Sequence, residues 1–104
     1  MIAKPFWPPG GVNLMLRPKL SHPAAALLSH LEQPMRGMLT AAIDRLAATD
    51  GAVPPSDPIP LLFPQRQTFL EDPEKPGQRW RIVFCTYPEQ RLLHIPVIEL
   101  APVF

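Results

Sequence analysis

A single cysteine, Cys85, excludes an intrachain disulfide, so no covalent staple holds this chain. Charge is scarce too: 10 Lys and Arg against 9 Asp and Glu leave +1, too little for the balance alone to draw in nucleic acid or an anionic surface. The five glycines, in Gly10-Gly11 and at Gly37, Gly51 and Gly77, fit neither a phosphate loop nor a dinucleotide fingerprint. The three histidines, His22, His30 and His94, form no i, i+4 pair and have no cysteine pair beside them, so neither metal nor cofactor is expected.

Long apolar runs are also missing. No window approaches the roughly 18 residues a membrane-spanning helix needs, and prolines break the start, MIAKPFWPPGG, where a secretory signal would be continuous. A cytoplasmic location without membrane association is the expectation. Ser21, Ser29 and Ser56 lack a nucleophile-elbow context, and Glu71, Asp72 and Glu74 share a polar loop that reads as a solvated turn. No catalytic residue is assigned.

Proline and apolar residues are what the chain does have. Its 16 prolines are scattered through 46% hydrophobic residues, which argues for a folded chain, and 104 residues suffice for one domain. The strongest local signal is RWRIVFCTYPEQRLLHIPVIEL, residues 79–100: two β-branched and aromatic runs around Tyr87-Pro88-Glu89-Gln90, with proline preset for a turn. The predicted register sets Trp80 opposite Val97, Ile82 opposite Ile95 and Phe84 opposite Leu93 on a core face. Arg79, Arg81, Val83 and Cys85 then lie across from Ile98, Pro96, His94 and Leu92 on a mixed face. Pro96 has no N–H, which places it at a sheet edge or a bulge. Cys85, mid-strand among apolar residues, reads as a small buried hydrophobe.

Upstream, residues 12–17 alternate as a strand. Ser21-His22-Pro23 starts a helix, with apolar residues at Leu27, Leu28, Leu31, Met35, Met38, Leu39, Ala42, Ile43 and Leu46 in one continuous phase until Thr49-Asp50-Gly51 ends it. Because the stripe keeps its phase across Pro34, one kinked helix is preferred over two helices. Residues 51–60 form a proline-rich connection, residues 59–63 are at most an edge strand, and residues 67–70 are a short strand or a 3₁₀ turn. The predicted fold is α+β: a small antiparallel sheet of three to four strands with a C-terminal β-hairpin, packed on one long Pro-kinked helix or two helices.

The expected function is a non-enzymatic protein-protein interaction or regulatory module of bacterial or phage type, whose partner is another protein or a second copy paired through a sheet edge. Its candidate binding residues are Phe6, Trp7, Arg79, Arg81, Leu92, His94 and Phe104. The alternative is a small metal-independent RNA-binding or RNA-cleaving protein using Arg79, Arg81, Tyr87, Arg91 and His94 on phosphates and bases. Trp80-Arg81-Ile82, opening a strand after helices, resembles a short segment of the small bacterial ribonuclease toxins of the RelE/ParE type, which implies that second activity. Those toxins are more basic and continue with further strand and helix beyond such a hairpin.

Overall fold

The structure, a computed structural model, describes residues 15–102. Phe6, Trp7, Phe104 and the first half of the strand expected over residues 12–17 lie outside the described residues. The elements run β1 (Arg17–Leu20), α1 (His22–His30), α2 (Met35–Ala48), β2 (Asp57–Pro58), β3 (Arg66–Glu71), β4 (Gln78–Tyr87), a 3₁₀ turn (Pro88–Gln90) and β5 (Leu92–Pro102). Both helices cover one face of a five-stranded sheet ordered β1-β5-β4-β3-β2.

The α+β class stands, with more strands than the three to four expected and with one parallel pairing. β1 runs parallel to β5, Arg17 beside Leu92 and Leu20 beside Ile95. Only its last residue is even half-buried, so the strand starts at Arg17 where the alternation had suggested an end. As an edge strand it carries Pro18 and Lys19, which discourage further pairing.

Ser21 caps α1, its Oγ accepting from Ala24 N at 3.2 Å, and proline follows in the first turn, as the sequence indicates. The preferred single helix is corrected to two. Leu31 is extended, with ψ 145°, and α2 begins only after Pro34, because a residue before proline is driven from the helical region. The unbroken phase has a different cause: both helices bury their apolar stripes in the same core. That core joins Met35, Leu39, Ile43 and Leu46 to Ile82, Phe84, Leu93, Ile95 and Ile98.

At the hairpin turn Arg91 takes a left-handed conformation, φ 52°, and stays in the loop, so Tyr87 pairs with Leu92 and Thr86 with Leu93. The register thus sits two residues from the expected one, which leaves the faces unchanged. Between Val83 and Cys85 it shifts again. Val83 faces Val97 while Cys85 faces His94, so β5 carries an extra residue there, a bulge that contains Pro96. Beyond the bulge the faces invert: Ile98, expected on the mixed face, is 6% exposed in the core, and Val97 and Glu99 turn to the other side. Ser21 braces this place, its N–H donating to Ile95 O at 3.0 Å and its Oγ to Pro96 O at 2.7 Å.

Residues 67–70 belong to β3, a regular strand antiparallel to β4. Residues 59–63 form no strand but a turn whose side chains stand in solvent. Its neighbour β2 has two residues, one of them Pro58, so the second edge is as short and blocked as the first.

Candidate functional site

The sheet face away from the helices is built by alternation. On β4 it takes Arg79, Arg81, Val83 and Cys85. The register puts Glu71, Phe69 and Gln67 of β3 beside Arg79, Arg81 and Val83, and Ala101, Glu99 and Val97 of β5 on their other side. Nearer the turn His94 lies beside Cys85 and Lys19, and Leu92 beside Tyr87 and Arg17.

Arg81 is fixed at the centre of this face. Its Nη1 donates to Gln67 Oε1 at 3.0 Å and its Nη2 forms a charge-assisted hydrogen bond with Glu99 Oε2. Arg79 lies over the Phe69 ring, 4.0 Å from guanidinium carbon to centroid, a cation–π arrangement. The Nε atoms of both arginines are shielded from solvent and have no hydrogen-bond partner among the described residues. Gln67, Phe69, Arg79, Arg81, Glu99 and Leu100 border a shallow depression of about 480 Å³. Leu100, 45% exposed, is its apolar rim.

Of the predicted residues, then, the structure brings Arg79 and Arg81 together. His94 and Leu92 share their face but sit toward the turn, since Cys85 follows Arg81 by four positions, ~13 Å along a strand. Tyr87 and Arg91 are exposed at the turn, apart from the arginine pair. The Cys85 thiol raises the Tyr87 pKa above 10.0, through a side-chain hydrogen bond first and its charge second.

Glu99, Gln67, Phe69 and Lys19 were missed by sequence reasoning. Firm assignment of residues 66–71 as a strand beside β4 would have found Gln67 and Phe69. Glu99 was hidden because the bulge that Pro96 signals leaves its effect on the register open, and Lys19 by the parallel pairing, which has no sequence signature here.

No helix among the described residues is long and apolar enough to cross a membrane. No protein-family model, curated protein or solved structure matches the chain.

Proposed function

We propose that this chain is a non-enzymatic interaction module that docks another protein around Arg79 and Arg81, on the sheet face away from its helices. The observation that carries this reading is the Arg79–Arg81 pair. Both guanidinium groups are held by neighbours, one on Phe69 and one between Gln67 and Glu99, while each has a shielded Nε–H with no partner among the described residues. Held arginines beside an aromatic ring and an exposed leucine are the composition of interface anchors. Self-association through a sheet edge, in this reading, uses the outer side of β5 past Ile95, because β1 covers only residues 92–95.

The alternative is RNA binding or cleavage through Arg79, Arg81, Tyr87, Arg91 and His94. It gains Lys19 and Arg17 on the same face, and it is weakened because Glu99 already neutralises Arg81. Capture from native lysate decides between them, with protein and nucleic acid read on the same eluate at low and high salt. A protein that survives high salt and is lost with Arg79→Ala plus Arg81→Ala supports the module. RNA that elutes as salt rises overturns it in favour of the alternative.

A further inference from the structure

The connection between β2 and β3 ends in three apolar side chains held out from the molecule: Leu61 is 102%, Leu62 53% and Phe63 93% exposed. It is a shaped tip rather than a loose loop. Ile59 N–H donates to Gln65 O at 3.1 Å, Leu62 N–H to Ile59 O at 3.1 Å and Gln65 N–H to Leu62 O at 2.8 Å. At its base Arg66 is tied to Ser56, Nε to Oγ and Nη2 to the carbonyl, both at 2.7 Å. Leu61 has φ 68°, a conformation in which non-glycine residues are mostly Asn or Asp. Nothing in the chain's own core accounts for an apolar residue presented in this way.

The same chain carries a cavity of matching character. Between α1 and α2, on their outer side, lies a groove of about 730 Å³ whose apolar lining includes Leu20, Ala25, Leu28, Gly37 and Ala41. The small residues open its floor. Arg36 and Asp44 stand on its rim, one cation and one anion. The base of the tip likewise offers one of each, Arg66 and Asp57. The two features cannot meet within one molecule. The groove opens beside Leu20 at the β1 edge and the tip leaves from the β2 edge, four strand spacings or ~19 Å away across the sheet.

We propose that Leu61, Leu62 and Phe63 of one copy seat in the α1–α2 groove of a second, so that the chain assembles head to tail. Such a contact joins two different surfaces, so one contact leaves a tip and a groove free, and repetition gives a closed ring or an open filament. A three-residue tip covers far less than the ~800 Å² per partner of a standard interface, so association is weak and grows with concentration.

The test is sedimentation equilibrium of the intact chain up to millimolar concentration, with variants that break one surface each. Leu61→Asp with Phe63→Asp spoils the tip, and Ala41→Glu fills the groove. All three positions are exposed, so the circular dichroism and thermal unfolding of the variants should match those of the parent chain. The parent is expected to rise in average mass with concentration, and each variant to associate at least roughly tenfold more weakly. An equimolar mixture of the two variants should form a dimer that grows no further, the intact tip of one in the intact groove of the other. Phe63→Ser and Ala25→Glu form a second pair should either of the first misfold. A monomeric parent, a variant that still assembles, or a mixture that stays monomeric would each overturn the proposal. Arg81→Ala, on the open sheet face, should leave the assembly unchanged.

Discussion

Arg81 and Glu99 are partners across β4 and β5 because one extra residue in β5, at Pro96, turns Glu99 to the open face. The same turn of phase buries Ile98 against the helices. Magnitudes show which of the two consequences stabilises the fold. The ion pair is exposed by 31% at Arg81 and 45% at Glu99, so solvent screening leaves it ~0–1 kcal/mol. Truncating a buried isoleucine such as Ile98 to alanine costs ~2–5 kcal/mol.

Glu99→Gln is therefore expected to change the unfolding free energy by less than ~1 kcal/mol, a difference that shrinks further with added salt. Urea denaturation at two ionic strengths measures it. The substitution also releases Arg81 as a free cation, so any affinity for single-stranded RNA should become steeper in salt by about one phosphate contact, ~0.7 in the log–log slope.

Deletion of Pro96 would remove the bulge and return residues 97–102 to the opposite faces. Ile98 would go to solvent and Glu99 toward the helices, where an unpaired buried carboxylate costs ~3–5 kcal/mol. Against a total stability of ~5–15 kcal/mol, cooperative thermal unfolding should be severely lowered or lost. A deletion variant as stable as the parent would show that the phase of β5 is set elsewhere.

Ser21 does two things with one hydroxyl: it accepts from Ala24 N–H and donates to Pro96 O. Ser21→Ala should cost ~1–2 kcal/mol, a cap of ordinary strength. Ser21→Asp keeps an acceptor for the helix but sets a carboxylate against the Pro96 carbonyl. It should recover little of that loss, although aspartate is an excellent cap on an isolated helix. Chemical denaturation of the three proteins distinguishes a cap from a brace.

Gly51 and Gly77 both have left-handed backbones, φ 82° and 87°, but differ in their surroundings. A Cβ on Gly51 would meet Phe84 Cε2 and Thr86 Cγ2 at 3.1 Å, while one on Gly77 would meet nothing within 4 Å. Gly77→Ala is expected to carry the conformational penalty alone, ~1 kcal/mol, and Gly51→Ala visibly more, because Phe84 is buried in the core and must give way. Equal losses in thermal unfolding would discount the contact with Phe84.

Tyr87, the sole tyrosine, makes a clean titration. Its phenol should deprotonate above 10.0 in the folded chain and fall back toward that value in Cys85→Ala, as followed by phenolate absorbance. The folded pKa is raised, so the stabilisation linked to the neutral phenol is complete below the unfolded value and is lost as pH climbs through the folded one.

The parts legible in the sequence were those in which pattern and local chemistry agree: the apolar period of the hairpin, the Ser21 cap, the Thr49-Asp50-Gly51 stop, and Cys85 as a buried residue. The break at Pro34 was obscured because two helices sharing one core keep a common phase. β1 was not legible because Arg17-Pro18-Lys19-Leu20, an edge strand bonded on one side, needs no alternation. For the candidate site, Arg79 and Arg81 could be read from the period of β4. Their partners could not, since Pro96 signals an edge or a bulge without saying which, and Glu99 reaches this face only through the bulge, while Phe69 and Gln67 depend on a strand pairing across a loop. The apolar run of residues 59–63 could be read no further than at most an edge strand, because composition cannot tell a buried leucine from one held out in solvent.

The parallel pairing of β1 with β5 also bears on how the chain comes into being. Ser21 and Pro96, joined by one hydrogen bond, are 75 positions apart. The β3–β4–β5 meander can form from neighbouring segments, whereas β1 has no strand to join until β5 exists. During synthesis, at roughly 5–20 residues per second, the helices emerge first and must wait several seconds with their apolar stripes uncovered. Closure of the sheet is thus a late event in the synthesis of these residues, and the span between first helix and last strand is when the nascent chain depends most on protection from its neighbours.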